Sequence, residues 1–165
     1  MDSKHSIAWA IGVLCLLAAC DSRAAYGAPP SDPCSLLTPA QVSAVLDAQV
    51  GAGKRVAPTL CDWRALGQPM GMKAKSVMIT LLDARGFAAT KMQLNVKGIT
   101  KVPVSGVGDE AVYGTTAGLG STLSVKKGDF YFVVRVNGFP FDKAKGADEV
   151  EAKEKTLALQ ILSKV

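Results

Sequence analysis

Between residues 34 and 165 the apolar positions recur with helical or strand periods, separated by Gly, Pro, Asp and Asn. The first such segment opens with Leu37-Thr38-Pro39-Ala40-Gln41-Val42. Thr38 is suited to cap a helix, Pro39 to sit at its first position, and Gln41 to complete a capping box. Leu37 and Val42 supply a hydrophobic staple, Val42, Val45 and Leu46 a buried stripe, and Gly51 a stop. Leu60-Cys61-Asp62-Trp63 reads as a strand. Lys75 to Leu82 alternates strictly, with Val77, Ile79 and Leu81 on one face and Ser76, Met78 and Thr80 on the other. Asp83 is placed to cap a second helix from Ala84 to about Val96, with Ala84, Phe87, Ala88 and Leu94 inward, Gly86 weakening it and Gly98 ending it. Ala111 to Gly114 predicts a short strand. Leu123 and Val125, then Phe130, Phe132, Val134 and Val136, predict a hairpin about Lys127-Gly128, with Val125 opposite Phe130 and Leu123 opposite Phe132. A last helix starts near Ala147. Its stripe is Val150, Leu157, Ala158, Ile161, Leu162 and Val165, and Glu149–Lys153 and Glu151–Lys155 are i,i+4 pairs on its wet side. The order α-β-β-α-β-β-β-α predicts an α+β domain, a small antiparallel sheet with helices packed on it.

The first 20 residues obey a different rule. Lys4 and His5 precede an uninterrupted run of 13 apolar or small residues, Ile7 to Ala19. Such a run suits the core of a signal peptide and is too short to span a bilayer as a helix, which takes about 20 residues. It ends in Leu17-Ala18-Ala19-Cys20, which resembles the lipobox of bacterial lipoproteins. Cys15 comes after bulky Leu14 and does not fit that pattern. The expectation is a signal peptide over 1–19, lipid on Cys20, a Pro- and Ala-rich tether over 20–33, and one globular domain over 34–165. A cut near Ala25 or Ala28 in an unlipidated precursor is the competing reading. A flexible tether of that length averages roughly 20 Å end to end. Asp21 resembles the inner-membrane retention signal of some Gram-negative bacteria.

Cysteine usage agrees with export. Cys15 leaves with the signal and Cys20 takes lipid, so Cys34 and Cys61 remain as an even pair for a disulfide in an oxidising compartment. The formal net charge of +5 is spread along the chain without a dense basic run. That argues for a solvated, mildly basic surface and against nucleic acid as the partner. The expected partners are the membrane, through lipid on Cys20, and an envelope protein or glycan.

Asp32-Pro33-Cys34-Ser35-Leu36-Leu37-Thr38, Cys61-Asp62-Trp63 and Gly106-Val107-Gly108-Asp109-Glu110-Ala111 together resemble the landmarks of a family of uncharacterised bacterial lipoprotein domains, best known from actinobacteria. The resemblance spans about residues 32 to 165 and implies a small exported α+β domain with a cysteine pair. The element order is also similar to a PsbP/Mog1-like sandwich, an analogy of fold that carries no function.

The only histidine, His5, lies in the signal segment. The processed chain therefore has no Ser-His or Cys-His pair, no His-ligated zinc and no His base. Gly106-Val107-Gly108-Asp109-Glu110-Ala111 formally fits a dinucleotide fingerprint. That motif must open a helix, whereas Ala111 to Thr116 reads as a short strand and a turn. A glycine turn is the expected structure. Asp109 and Glu110 are strand neighbours and point apart. Met70-Gly71-Met72 offers thioethers for Cu(I) but reads as a loop, so neither a metal nor any other cofactor is expected. Trp63 beside Cys61 reads as core packing against the disulfide. Phe139-Pro140-Phe141 is a loop whose rings, Phe139 and Phe141, are either contact points or the lid of the core. No catalytic residue is assigned. The favoured function is a non-catalytic, membrane-tethered binding or interaction module of the cell envelope. The competing one is an envelope hydrolase or glycan-active enzyme using carboxylates or Ser-Lys.

Overall fold

The computed structural model describes residues 30–68, 71, 74–93, 96–116, 120–139 and 146–165. Cys20, the expected lipidation site, most of the expected tether, Met70, Met72, Leu94 and Phe141 lie outside the described residues. The chain forms a 3-10 turn Pro33–Ser35, then α1 Pro39–Leu46, β1 Lys54–Ala57, β2 Leu60–Arg64, β3 Ser76–Asp83 and α2 Gly86–Gln93. It continues with β4 Ile99–Pro103, β5 Glu110–Thr116, β6 Gly120–Lys127, β7 Phe130–Asn137 and α3 Gly146–Leu162. The strands make one antiparallel sheet in the order β1-β2-β3-β7-β6-β5-β4. α1 and α3 pack on one face and α2 on the other, so the α+β class stands. Among the described residues no helix is long and apolar enough to cross a membrane.

The helix signals act as expected at the start of α1. Thr38 Oγ1 accepts from the Gln41 N–H at 3.3 Å, and Gln41 Oε1 accepts from the Thr38 N–H at 2.9 Å. The helix stops earlier than Gly51. Asp47 takes the left-handed conformation, at φ 49°, and its N–H bonds the Ser43 carbonyl. Asp tolerates that region better than most residues, so no glycine is needed.

Two strands escaped the periodicity. Every residue of β1 is exposed, and in β4 only Ile99 is partly covered. Both are sheet edges with no core-facing stripe, so they carry no alternation to read. The second helix begins at Gly86 rather than Ala84, because Asp83 still pairs with Phe130 in the sheet. Its carboxylate binds the Arg85 N–H and guanidinium instead of capping a helix. Phe87 is buried as expected, whereas Ala88 is exposed.

The β6–β7 hairpin turns at Gly128-Asp129, one residue later than Lys127-Gly128. Lys127 faces Phe130, Val125 faces Phe132 and Leu123 faces Val134. Glycine at φ 55° in the first central position matches a two-residue turn that suits the sheet's twist better. Because the partner moved by two residues, each side chain kept its face, and Leu123, Val125, Phe130, Phe132 and Val134 all belong to the core under α1 and α3. The alternation alone implies that the opposite face is solvated. It is partly covered: Tyr131 is 1% exposed, its ring meets Phe87 edge-on at 5.3 Å, and its hydroxyl lies 2.8 Å from Thr90 Oγ1.

α3 lays Val150, Leu157, Ala158 and Ile161 on the sheet, with Leu162 and Val165 at the margin. Glu149 and Lys153 pair at 3.5 Å. Glu151 instead accepts from Thr115 Oγ1 at 3.1 Å, and Lys155 reaches the Ser105 carbonyl at 3.5 Å. The apolar stripe also contains Glu154, fully buried. Pairing of β6 with β7 ends at Leu123–Val134, and the Glu154 carboxylate sits where the strands part. It accepts from Ser121 Oγ at 2.8 Å and from the Val136 N–H at 3.1 Å. Burial pushes its carboxyl up to about 8, with Ser121, the Val136 amide and Arg135 opposing and Glu151 reinforcing.

This packing sets two expectations. Phe132→Ala and Tyr131→Ala should both cost about 3–5 kcal/mol in urea unfolding, since each vacates a closed apolar site. A Tyr131→Ala protein of near wild-type stability would show that α2 does not close that face. Glu154 binds its proton more tightly folded than unfolded, so its contribution is complete below the usual carboxyl range and is lost as pH rises toward about 8. Glu154→Gln keeps a carbonyl acceptor for the Val136 N–H and cannot ionise. It should flatten the fall in stability between pH 5 and about 8 seen by thermal melts, whereas an unchanged slope would place the titration elsewhere.

Candidate functional site

The motif Asp32 to Thr38 is a structural clamp, each residue with its own task. The Asp32 carboxylate accepts from the Cys34 N–H at 3.0 Å and pairs with Arg55 of β1 at 2.7 Å, which together hold it below the ordinary carboxyl range. Leu36 and Leu37 are buried in the core, and Thr38 caps α1. Cys34 is bridged to Cys61 of β2, with Cα atoms 5.2 Å apart. Trp63 is fully buried on the same face as Cys61. A Cβ on Gly53 would come within 2.6 Å of the Trp63 indole and 2.8 Å of Cys61 Sγ, so glycine alone lets that segment cross the pair.

Gly106 to Ala111 is a turn entering β5, as the glycine-turn reading expects. Gly108, at φ 61°, leaves 2.5 Å between a would-be Cβ and the Lys126 carbonyl oxygen. The Asp109 N–H donates to that same carbonyl at 2.8 Å. The Asp109 carboxylate takes the Gly128 N–H at 2.7 Å and the Lys127 ammonium at 2.8 Å, and so clasps the β6–β7 turn. Glu110 turns toward α2 and pairs with Lys91 at 2.5 Å. The adjacent carboxylates serve two different structural contacts.

Phe139 is partly buried against the core. The Lys75 and Lys153 ammonium groups lie 5.1 and 4.8 Å from its ring centre. The same ammonium groups donate to the last carbonyls of α1, Lys75 to Leu46 at 3.0 Å and Lys153 to Val45 at 2.8 Å. The ring backs two cations that close the negative end of a helix.

Surface with binding chemistry lies on the other side of the sheet. α2 shields Tyr131 and Val112, near the β6–β7 turn. Toward the opposite strand ends, no other described helix packs on that face. There Lys54, Asp62, Met78 and Arg135 stand in register across β1, β2, β3 and β7. Thr122, Gly114 and Lys101 are in register across β6, β5 and β4, while the β6–β7 ladder ends one pair short of Thr122, at Leu123–Val134. Directly opposed residues share a face. The next line holds Arg64, Ser76 and Asn137, with an Asn137 Nδ2 to Ser76 Oγ bond of 3.2 Å. Lys54, Arg64 and Lys101 are exposed. Asp62 is the only carboxylate in the two lines. It is 5% exposed and accepts from Arg64 Nε at 2.5 Å, while its other oxygen finds no hydrogen-bond partner among the described residues. The edge positions Lys54 and Lys101 escape a reading by periodicity because their strands do. Arg135 and Met78 are visible in the sequence only as the wet face of a strand.

At the other end of the strands is an open cleft of about 510 Å³, lined by Pro30, Ser31, Thr59, Leu81 to Arg85, Asp129 and Phe130. Two of its charged groups pair with each other: Arg85 holds the Asp83 carboxyl down at about 2. Among the described residues no group of three or more His, Cys, Asp and Glu side chains converges as a metal site would require. Compared with known proteins, the chain matches no family model, no curated protein and no solved structure.

Proposed function

We propose that the chain is a lipoprotein precursor whose exported domain is a membrane-tethered binding module of the cell envelope, with the half of the sheet on which no described helix packs as its binding surface. The observation that carries the reading is unequal coverage by helices: α1 and α3 pack on one face of the sheet, while among the described residues only the short α2 packs on the other, over one half. That half carries Lys54, Met78, Thr122 and Asn137, partly or fully exposed, on rigid strands, a scaffold suited to holding a partner in fixed geometry. The Cys34–Cys61 bridge fits an oxidising compartment, and Leu17-Ala18-Ala19-Cys20 supplies the attachment. Kinship with the uncharacterised lipoprotein domains, and a PsbP/Mog1-like sandwich, belong to this proposal. The first rests on motifs that the fold uses as clamp, bridge and clasp, the second on helices on both sides of an antiparallel sheet.

Cys20→Ser should abolish labelling by a fatty-acid analogue and release the protein from sedimenting membranes in cells of a lipoprotein-processing bacterium. Persistent label would place the lipid elsewhere and remove the tether from the reading. Thiol counting on the denatured, unreduced chain should find none at Cys34 or Cys61. The 27-residue separation corresponds to about 3–4 kcal/mol of stabilisation in the chain-entropy model, so reduction should lower the urea midpoint markedly. Two free thiols in exported protein would show that the pair works open.

A further inference from the structure

We propose that Glu154 is a pH-sensitive latch: as a neutral carboxyl it holds the first half of α3 on the sheet, and on losing its proton it releases that half while the second half stays docked. Glu154 is fully buried where α3 packs on β6 and β7. The paired β6–β7 ladder ends at Leu123–Val134, and the carboxyl fills the parting beyond it. The Val136 N–H donates to Oε1 at 3.1 Å and Ser121 Oγ to Oε2 at 2.8 Å, so one side chain ties α3 to both strands. The two halves of the helix are held unequally. From Asp148 to Glu154 only Val150 joins the apolar core, whereas Leu157, Ala158 and Ile161 all do so in the second half. Polar contacts hold the rest of the first half. The Tyr113 hydroxyl donates to the Glu151 carbonyl, Thr115 Oγ1 to the Glu151 carboxylate at 3.1 Å, and Lys153 Nζ to the Val45 carbonyl at 2.8 Å. Such contacts exchange for water at small net cost, and apolar burial does not.

The groups around the latch set its direction. On α3 itself Glu151 is a like charge one turn away, while Lys153 is turned to α1 and Lys155 to the Ser105 carbonyl. β7 contributes the Arg135 guanidinium and β6 the Ser121 hydroxyl, and both ease ionisation. Lys126 and Lys127 of β6 lie at its far end, beside the β6–β7 turn. β5 contributes the Tyr113 phenol, itself pushed up by burial and by the two glutamates. α1 carries no ionisable side chain. Burial outweighs the groups that ease the charge and pushes the Glu154 carboxyl up to about 8. In water the same group returns to the ordinary carboxyl range. The open form therefore gives up its proton first. Between those two points opening gains about tenfold for each pH unit, and above about 8, where both forms are ionised, it gains nothing more. The least costly route to water is to lift the half held by polar contacts and one valine. Lifting it uncovers Tyr113 and Val136, so a rising pH trades a closed edge of the core for an apolar surface.

The test is amide hydrogen exchange on the full-length chain in a nonionic detergent, followed from about pH 5 to about pH 9 and corrected for base catalysis of the chemical step. The amides of Val150 to Glu154 should lose protection about tenfold per pH unit and level off near about 8. Those of Leu157 to Ile161 and of the β3–β7 pairing should stay far better protected at every pH. Glu154→Gln cannot ionise and should hold the protection of the first half level. Glu151→Gln keeps an acceptor for Thr115 and removes the like charge, so the levelling-off should move to lower pH. A purely structural Glu151 would not move it, and this variant decides the matter even where Glu154→Gln fails to fold. Level protection in the wild type, or an unchanged slope in a folded Glu154→Gln, would overturn the proton as trigger. A levelling-off unmoved by Glu151→Gln would place the titrating group elsewhere. Equal protection of the first half and the β3–β7 pairing at every pH would show that α3 leaves only with the whole fold, and would overturn the latch.

Discussion

The pairing of β3 with β7 is the constraint on which the rest of the structure depends. β1, β2 and β3 form one antiparallel run, and β4, β5, β6 and β7 form another. The two meet only along β3–β7, from Ser76–Asn137 at one end to Asp83–Phe130 at the other. That seam is non-local, so it carries the chief loop-closure cost of the fold. Val77, Ile79 and Leu81 of β3 and Phe132, Val134 and Val136 of β7 stand opposite one another on the face that α1 and α3 cover. The seam is therefore also the middle of the core. The Cys34–Cys61 bridge ties the start of the domain to β2, one strand from the seam. α3 closes over the other side of it, through β6 and β7.

What could be read from the chain divides along burial. α1 declared itself by Thr38, Pro39 and Gln41 because its cap is made by side chains within one turn. β3 and the β6–β7 hairpin declared themselves because one face is buried and the period of two is strict. β1 and β4 were silent, since an edge strand without a buried face has no pattern to impose. The hairpin register missed by one turn residue, because Lys127-Gly128 and Gly128-Asp129 leave the facing of every side chain the same. The twist of the turn chooses between them, and the hydrophobic pattern does not. The disulfide was legible by subtraction of Cys15 and Cys20 alone. Of the candidate site, Ser76 and Met78 were visible as a polar strand face. The role of α2, which shields Tyr131, was not. It depends on where an 8-residue helix comes to rest, a tertiary fact.

The three motifs that suggested kinship each turn out to solve a local mechanical problem. Asp32 to Thr38 fixes the first turn and carries the bridge, Cys61 to Trp63 receives it, and Gly108 with Asp109 locks the β6–β7 turn at the far side of the same sheet. None of them contributes a side chain to the open lines except Asp62, whose carboxylate serves Arg64. Clamps of this kind preserve a scaffold.

The separation of scaffold from surface also explains the placement of Glu154. Where β6 and β7 part, the Val136 N–H has no strand partner within the β6–β7 ladder, and a buried amide left unpaired costs about 1–3 kcal/mol. Glu154 supplies the acceptor from α3, and Ser121 donates to its second oxygen. A neutral carboxyl suits that position, since the side chain is fully buried and Glu151 lies near. The parting is therefore satisfied from within the protein.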